Sequence, residues 1–353
     1  MKNLIKNVQS FIPDGVDGAL ITDTISLNYL TDLIGIEGYI FITKNSAVLY
    51  TDGRYIEAAQ KKISHLDVAL IKRGVGICET AENMGLRTIL CEGSISASRF
   101  DTLNKSHVLE FILSGEFDAK LLNLRSVKSD REIVRMRQAQ SITDSAFEHI
   151  INMNLVGVSE KRIAAEIEYF MRKSGADSTA FDTIAVSGKN SSLPHGIPSD
   201  KPIEKGDFIT LDFGASVEGC KSDMTRTIAV GFATEQMKEV YFTVLQAQEN
   251  ALSIIKAGAS SKDVDAAARN YIAERGFGEY FTHSTGHGVG FEIHEAPNLS
   301  PASTAILRTG NVVTVEPGIY IPDTFGVRIE DYGMVTKDGF DNFTTSPKDL
   351  LII

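Results

Sequence analysis

Short apolar runs alternate with amphipathic stretches along the first third of the chain. Four runs have the length and composition of buried strands: GALIT at 18–22, YIFIT at 39–43, AVLY at 47–50 and TILC at 88–91. Helical patterns lie between them, as at 54–62. Strands that alternate with helices are typical of α/β domains. We therefore predict an α/β domain over the N-terminal part of the chain.

A long amphipathic helix opens the second part of the chain. Ser129 is followed three residues later by Glu132, which is the capping-box pattern found where helices begin. We place the domain boundary just before this helix. The prediction is an N-terminal domain over residues 1–124 and a C-terminal domain over residues 125–353.

The C-terminal part contains two similar segments, at 158–176 and 259–277. They align at an offset of 101 residues, which pairs Ser159 with Ser260. Two capped amphipathic helices can resemble each other by composition alone, but a loop and a pair of acid-bearing strands also follow each copy. We therefore expect a duplicated helix–helix–strands unit, with a pocket along its pseudo-twofold axis.

Carboxylates interrupt otherwise apolar strands of the C-terminal part. Asp212 lies in GDFITLDFG, and Asp223 lies on the returning strand of a predicted hairpin, so the two acids should come side by side. Glu316 ends the strand NVVTVE, and Glu330 follows Arg328 on one face of a further strand over 326–336. Most acids are simply exposed strand or turn residues, but four gathered inside a core would repel one another. Two divalent cations would neutralise them, so the pattern predicts a metal site.

Three histidines, His283, His287 and His294, lie within twelve residues of each other. The spacing of the first two would suit a zinc-binding helix, but the glycines between and after them are incompatible with a helix. A glycine-rich segment that carries one metal ligand fits better. A lone histidine is usually a hydrogen-bonded structural side chain, whereas the four acids nearby favour a functional role. His195, in a proline-bracketed loop of the first copy, is the counterpart of His294 and is a further candidate.

Composition narrows the class of protein. The 353 residues are 43% hydrophobic and carry a formal net charge of −11, which argues against a nucleic-acid partner. Three widely spaced cysteines suit free thiols in a reducing compartment. No stretch resembles a signal peptide or a membrane span, so we expect a soluble cytoplasmic protein. The N-terminal part lacks the glycine-rich phosphate loop of a dehydrogenase.

The five candidate ligands, in this order and context, resemble those of the pita-bread metallopeptidases, specifically the branch of aminopeptidase P and prolidase. They are Asp212, Asp223, His287, Glu316 and Glu330. The surrounding HGVG, VEPGIY and VRIED make the pattern specific, and TDGRY in the N-terminal part extends it more loosely. The resemblance implies an α/β N-terminal domain of the creatinase/prolidase type, followed by an α+β pita-bread catalytic domain with an internal pseudo-twofold repeat.

The resemblance also implies two divalent ions, ~3.5–4 Å apart, with a bridging hydroxide as the nucleophile. Asp212 would bind one ion, and His287 and Glu316 would bind the other. Asp223 and Glu330 would bridge the pair. A donor set rich in oxygen favours Mn²⁺ or Co²⁺ and does not exclude Zn²⁺.

Further roles follow from the same resemblance. Glu316 would handle the proton of the nucleophile, while His195 and His294 would contact the substrate and stabilise the tetrahedral oxyanion. His283 would line the substrate pocket. Arg328 would position the substrate or a ligand.

The implied activity is hydrolysis of the bond between an N-terminal residue and a penultimate proline in small peptides, by an enzyme that we expect to be a homodimer. Methionine aminopeptidases lack a comparable leader domain, and creatinase lacks the metal ligands. Xaa-Pro aminopeptidase and Xaa-Pro dipeptidase stay open, because some prolidases carry an arginine where this chain has Asn298. The alternatives are a non-catalytic binding protein on the same fold and an aminopeptidase of other N-terminal specificity.

Overall fold

The computed structural model describes residues 2–353, apart from the side chains of residues 2 and 3. The chain divides into two compact units, of which the first ends at Leu124 and the second is Arg125–Ile353. Within the described residues, no helix combines the length and the apolar character that crossing a membrane requires.

The first unit is an α/β domain, as its alternating pattern predicts. Its strands are β1 (Gly18–Ile21), β2 (Tyr39–Thr43), β3 (Ala47–Thr51), β4 (Asp67–Leu70), β5 (Thr88–Cys91) and β6 (Glu110–Leu113). The helices are α1 (Lys2–Ser10), α2 (Thr24–Thr31), α3 (Ile56–Lys62), α4 (Ile77–Asn83), α5 (Ala97–Leu103) and α6 (Gly115–Ser126), of which the last two residues belong to the second unit. The four strands expected from the apolar runs are confirmed to within one residue at each end.

One mixed sheet organises this unit, with the strand order β4-β3-β2-β1-β5-β6 in the described chain. β1 pairs antiparallel with β2 and parallel with β5, so it is a central strand, and all four of its residues are buried. That burial on both faces explains why its sequence is a continuous apolar run rather than an alternating one. Phe41, Ile89 and Phe111 belong to the apolar cluster that packs on this sheet.

The second unit pairs long helices with short strands. Its helices are α7 (Asp130–Ile151), α8 (Glu160–Lys173), α9 (Glu235–Ile254) and α10 (Ser261–Glu274), with short 3₁₀ turns at Gly188–Ser192 and Gly278–Tyr280. Its strands are β7 (Ser178–Thr179), β8 (Ile184–Ser187), β9 (Phe208–Phe213), β10 (Ala215–Val217), β11 (Cys220–Lys221), β12 (Met224–Ala229), β13 (Gly286–Gly288), β14 (Glu295–Leu299), β15 (Val312–Val315), β16 (Gly318–Ile321), β17 (Phe325–Arg328), β18 (Asp331–Val335) and β19 (Phe340–Asn342). The strand orders are β12-β9-β8, β11-β10-β7, β14-β13-β15-β18-β19 and β16-β17.

The two halves of this unit repeat the same helical arrangement. Ser129 and Glu132 form the expected capping box at the start of α7. The second helices of the two halves, α8 and α10, have 14 residues each and are capped by the side chains of Ser159 and Ser260. Each half also has an apolar cluster, one around α7 and α8 and the other around α9 and α10, and the second cluster includes Phe208 and Ala229 from strands of the first half. These matches agree with a duplicated helix–helix–strands unit.

The predicted hairpin that carries Asp212 and Asp223 is interrupted at Gly214. β9 and β12 pair antiparallel, but the chain between them forms the β10–β11 hairpin of a different sheet. A Cβ at position 214 would overlap the carbonyl oxygen of Ser222, so the close crossing requires glycine. Thr225 stands opposite Asp212 in the register. Asp223 therefore lies just before its strand rather than directly across from Asp212.

The expected strand over 326–336 is also two strands, so the prediction that Arg328 and Glu330 share one strand face is wrong. β17 ends at Arg328 and pairs with β16, whereas β18 begins after Glu330 and pairs with β15. In the break between them, the Glu330 backbone N–H donates to the Thr225 carbonyl oxygen at 3.1 Å. This bond joins the second half of the unit to β12, the strand that follows Asp223 and pairs with the Asp212 strand β9.

Candidate metal centre

The two halves of the second unit each supply part of one acidic cluster. Asp212 comes from β9 and Asp223 immediately precedes β12. His287 is the middle residue of β13. The glycines on both sides of it approach neighbouring backbone closely, and a helix could not take the place of this strand. Glu316 directly follows β15, and Glu330 lies between β17 and β18. The strand ends thus bring together residues that are far apart in the sequence.

Three of these side chains meet within the reach of a single ion. Ligand atoms of Asp223, His287 and Glu330 all lie within 4.8 Å of one another. His287 Nε2 is 3.7 Å from Asp223 Oδ2 and 3.2 Å from Glu316 Oε1. Asp212 is held at the same cluster by Arg328, whose Nη2 donates to Asp212 Oδ2 at 2.6 Å.

The imidazole of His287 is oriented by the backbone. Its Nδ1 lies 3.1 Å from the Gly288 carbonyl oxygen, which can only accept, so Nδ1 carries the hydrogen. Nε2 is therefore the atom that faces the carboxylates. The His287 backbone N–H also donates to Thr314 Oγ1, and that hydroxyl donates to Glu316 Oε1 at 3.2 Å. A histidine fixed in this way presents Nε2 as a metal ligand.

Burial and mutual repulsion perturb the carboxyl groups strongly. Burial raises the pKa of Asp223 well above its usual range, and the neighbouring charge of Asp212 raises it further. Burial, followed by the charge of Asp223, likewise raises the pKa of Glu330 well above its usual range. The pKa of Asp212 is also raised by burial, although Arg328 opposes this. The site therefore crowds more negative charge together than its own cations balance.

His287 and Glu316 behave as an ion pair within this cluster. Burial alone would raise the pKa of Glu316, but the hydrogen bond and charge of His287 outweigh burial and lower that pKa to about 2. For His287, burial would lower the pKa, yet Glu316 and Asp223 raise it to about 9. Both groups are thus held in their charged forms when the protein carries no metal.

Two buried carboxylate oxygens at the centre lack any hydrogen-bond partner in the described structure, namely Asp212 Oδ1 and Glu330 Oε1. Buried polar atoms are normally paired, because leaving one unpaired is costly. Four carboxylates and one imidazole nitrogen are the donor set that divalent ions such as Mn²⁺ accept. The unpaired oxygens, the excess negative charge and the fixed Nε2 together fit a divalent metal site.

Arg328 is the central cation beside these carboxylates. Besides its bond to Asp212, its Nε donates to Thr225 Oγ1 at 3.0 Å, and that hydroxyl donates to Glu330 Oε2 at 2.7 Å. Arg328 Nη1 donates to the hydroxyl of Tyr320 at 2.6 Å and to the Pro194 carbonyl oxygen at 3.2 Å. The guanidinium thus orients candidate ligands from both halves of the unit.

His283 lies at the end of the same hydrogen-bonded chain. Its Nδ1 donates to the Ser284 carbonyl oxygen at 2.8 Å, and its Nε2 is 2.9 Å from the Tyr320 hydroxyl. Burial lowers the pKa of His283, so the ring is neutral and Nε2 accepts from that hydroxyl. Burial raises the pKa of Tyr320 to about 12, which keeps the hydroxyl protonated.

His195 and His294 are exposed residues beside this cluster. The ring of His294 lies 4.3 Å from the ring of His287, centroid to centroid. Burial and the charge of His287 lower the pKa of His294. Coulombic interaction with His195 contributes to the lowered pKa of both His283 and His294. The structure thus brings the predicted site residues into one region of the second unit.

Sequence comparison places the chain in a family. Residues 134–337 match the sequence model of metallopeptidase family M24, and residues 8–127 match that of the creatinase/prolidase N-terminal domain. The chain belongs to metallopeptidase family M24 and is a peptidase. Its architecture, a creatinase-type N-terminal domain followed by a pita-bread catalytic domain, confirms the fold expected from the sequence.

Similar proteins span the whole chain. An Xaa-Pro dipeptidase of Pyrococcus horikoshii is 39% identical over 354 residues, covering 99% of both chains. The structure of an Xaa-Pro dipeptidase from Bacillus anthracis is 43% identical, with a TM-score of 0.95 and 99% of each chain covered. An X-Pro aminopeptidase from Thermotoga maritima is 38% identical, with a TM-score of 0.89 and coverage of 96% of this chain and 98% of that one.

Two side chains of the site could not be predicted from the sequence. The Tyr320 hydroxyl joins Arg328 to His283, but in the sequence it is only one more apolar-strand residue after the Pro-Gly turn. Thr314 likewise looks like a β-branched strand residue, although its hydroxyl connects His287 to Glu316. The VEPGIY context could have drawn attention to the tyrosine, whereas no local pattern marks the threonine.

Proposed function

We propose that this chain is a dinuclear metal-dependent Xaa-Pro dipeptidase, which hydrolyses the bond before a C-terminal proline in small peptides. The observation that carries the proposal is the convergence of five ligand-type side chains around two unpaired, buried carboxylate oxygens. Its support from comparison is the similarity, over the full chain, to proteins named Xaa-Pro dipeptidase.

The residues that would hold the ions are the five candidate ligands. In the proposed arrangement Asp212 would hold one ion, His287 and Glu316 would hold the other, and Asp223 and Glu330 would contribute to both. Mn²⁺ is the ion we propose, because four of the five donors are carboxylates. When bound, the ions would polarise the scissile carbonyl and lower the pKa of the attacking water.

The remaining chemistry belongs to side chains of this protein. We assign to Glu316 the transfer of the water's proton, since Thr314 and His287 fix its carboxylate at the cluster. His294 and His195, which are exposed beside the cluster, would donate hydrogen bonds to the substrate and to the developing oxyanion. His283 would line the pocket, and Arg328 would hold Asp212 in position.

An Xaa-Pro aminopeptidase is the second candidate. The exposed Asn298 stands where some prolidases carry an arginine, and an asparagine offers no charge to a free proline carboxylate. The similarity to an X-Pro aminopeptidase structure points the same way. The two activities differ only in whether the peptide continues beyond the proline.

We also propose that the protein is a cytoplasmic homodimer. Light scattering of the pure protein would measure the oligomeric state.

The test is hydrolysis, with Mn²⁺ present, of an Xaa-Pro dipeptide, the matched Xaa-Pro-Yaa tripeptide and a dipeptide without proline. A dipeptidase cleaves the first well and the second poorly, whereas an aminopeptidase shows the reverse. Asp212→Asn should abolish turnover and leave cooperative unfolding intact. Metal analysis of the pure protein should find about two ions per chain, the stoichiometry of a dinuclear site. Absence of bound metal and of activity towards both proline peptides would favour a non-catalytic binding protein.

A further inference from the structure

The loop that carries His195 is held at both ends by one buried acid. We define the His195 loop as residues 187–199, which connect β8 to the segment leading into β9. Glu160, the first residue of α8, is only 1% exposed. Its Oε1 accepts from the backbone N–H of Ser187 at 2.7 Å, and its Oε2 accepts from the backbone N–H of Ser199 at 2.9 Å. The carboxylate therefore joins the first and last residues of the loop.

Side-chain contacts reinforce this clamp. The hydroxyls of Ser187 and Ser199 donate to the same two oxygens, at 3.0 and 2.7 Å. Asn190 Nδ2 lies 3.1 Å from both oxygens. All the donors come from the His195 loop, so a single carboxylate satisfies several groups of the loop at once. No local sequence pattern reveals such a contact, because the partners lie 27 to 39 residues from Glu160.

The tip of the loop has little burial to hold it in place. His195 is exposed, and its apolar neighbours Leu193 and Ile197 are 57% and 84% exposed. Because exposed side chains contribute little packing, polar contacts must fix the conformation of this tip, whereas Ser191 nearby is buried and accepts from the Gly326 backbone N–H at 3.0 Å. On the side of the metal centre, Arg328 donates to the Pro194 carbonyl oxygen at 3.2 Å. The loop is thus tied to the acidic cluster at its middle and to Glu160 at its ends.

We propose that Glu160 is a positioning residue that acts through His195, holding the His195 loop so that this histidine meets the substrate beside the metal centre. The inference rests on the proposed function, because it takes His195 to contact the substrate. The carboxylate of Glu160 accepts from Ser187, Asn190 and Ser199, none of which belongs to the acidic cluster. Its influence on turnover therefore passes through the loop, and positional errors of about 1 Å in a catalytic group can cost about 100-fold in rate.

The substitution Glu160→Gln tests the clamp with almost no change in volume. A glutamine keeps one acceptor oxygen but turns an NH₂ group towards donors of the loop, so at least one end is released. We expect kcat/KM for the Xaa-Pro dipeptide to fall by about 10-fold to 100-fold, with bound metal unchanged. Hydrogen exchange at residues 187–199 should become faster, while exchange in the strands around the metal centre should not.

A double-mutant cycle with His195→Ala separates positioning from general damage. If Glu160 acts through His195, the Glu160→Gln change should alter kcat/KM by less than about twofold once His195 is alanine. Effects that multiply in the double variant, or a Glu160→Gln enzyme equal to wild type, would overturn the inference. The matched control is Asp144→Asn. Asp144 is an acid on α7 that accepts from the backbone N–H and hydroxyl groups of Thr345 and Ser346.

Asp144→Asn releases the C-terminal segment instead of the His195 loop, so it should lower stability. The factor by which His195→Ala lowers kcat/KM should be the same with and without this control substitution. If Glu160→Gln does not fold, Ser199→Ala takes its place, because it removes a single hydroxyl donor to Glu160. Ser199→Ala should lower kcat/KM by a smaller factor, and it should have no effect on kcat/KM once His195 is alanine. An additive result there would equally overturn the inference. Failure of the proposed function has a different signature, since the wild-type protein would then cleave no Xaa-Pro peptide while the exchange change at 187–199 would persist.

Discussion

Replacing one carboxylate of the acidic cluster, Glu330, should stabilise the metal-free protein while it destroys the proposed metal site. The perturbation is Glu330→Gln, which removes one charge and keeps the shape of a side chain that is 1% exposed. The amide oxygen can still accept from the Thr225 hydroxyl, which lies 2.7 Å from the carboxylate in the wild type. The substitution therefore changes charge far more than packing.

The magnitude follows from the spacing of the ligand atoms. Asp223 and Glu330 offer atoms within 4.8 Å of one another, and two unit charges at about that distance interact by about 3 kcal/mol at an effective dielectric constant of about 20. Attraction between Glu330 and the nearby His287 offsets the repulsion between Glu330 and Asp223. Glu316 and Asp212 also repel Glu330, and burial adds the cost of removing its charge from water. We expect a net gain of about 2 kcal/mol, within the range seen when buried charges are replaced.

The gain depends on pH in a defined direction. The folded-state pKa of Glu330 is raised above its ordinary value of 4.5, so the folded protein binds this proton more tightly than the unfolded chain does. The metal-free wild type therefore gains stability as pH falls through the raised pKa towards 4.5, and loses it as pH rises. The glutamine variant lacks this proton. The difference between the two proteins should widen at alkaline pH and close towards pH 4.5.

The assay is thermal unfolding of chelator-treated protein, followed by circular dichroism at several pH values. A gain of about 2 kcal/mol corresponds to an increase in Tm of about 4–8 °C for a domain of this size. Adding Mn²⁺ should stabilise the wild type and have much less effect on the variant. The control Glu235→Gln removes a carboxylate whose side chain is 90% exposed on α9, and it should change stability by less than about 0.5 kcal/mol. A chelated Glu330→Gln protein that is less stable than wild type at alkaline pH would refute the reasoning.

Three further substitutions probe the surroundings of the site. Tyr320→Phe removes the hydroxyl between the arginine and histidine of the site, and we expect kcat/KM to fall by about 10-fold with the metal content unchanged, as steady-state kinetics and metal analysis would show. Arg226→Met removes the guanidinium from the buried Asp331, which keeps Lys348 as a cationic partner, and takes a donor from the carbonyl oxygens of Ser346 and Pro347. The free energy of unfolding in urea should therefore drop by about 3–5 kcal/mol. Gly214→Ala forces a Cβ against the Ser222 carbonyl oxygen, and the metal-loaded variant should have a lower Tm than wild type and reduced activity.

The acids of the site could be predicted from the sequence because each one breaks a local rule. Asp212 and Glu316 stand in or at the end of apolar strands, where an unpaired charge is costly, and such anomalies are visible without a structure. Helix starts at Ser159 and Ser260 were equally predictable, since capping depends on residues only three positions apart.

The contacts that depend on the path of the chain between strands could not be predicted from the sequence. The crossing at Gly214 and the break after Arg328 arise because backbone from distant segments approaches closely there. The contacts of Tyr320 and Glu160 join residues through the fold rather than along the chain. Periodicity reports which face of an element is buried, but it says nothing about which distant group that face meets.

The division of the candidate ligands between the two repeats has a consequence for how the protein would acquire its metal. Asp212 and Asp223 come from the first repeat, whereas His287, Glu316 and Glu330 come from the second, and each repeat has its own apolar cluster. Neither repeat can form the complete donor set, so high metal affinity must arise after both have folded and docked. A bound metal would then cross-link two halves whose apolar clusters are largely distinct, although Phe208 and Ala229 of the first half pack in the cluster of the second. Loss of metal should loosen that docking before it unfolds either half.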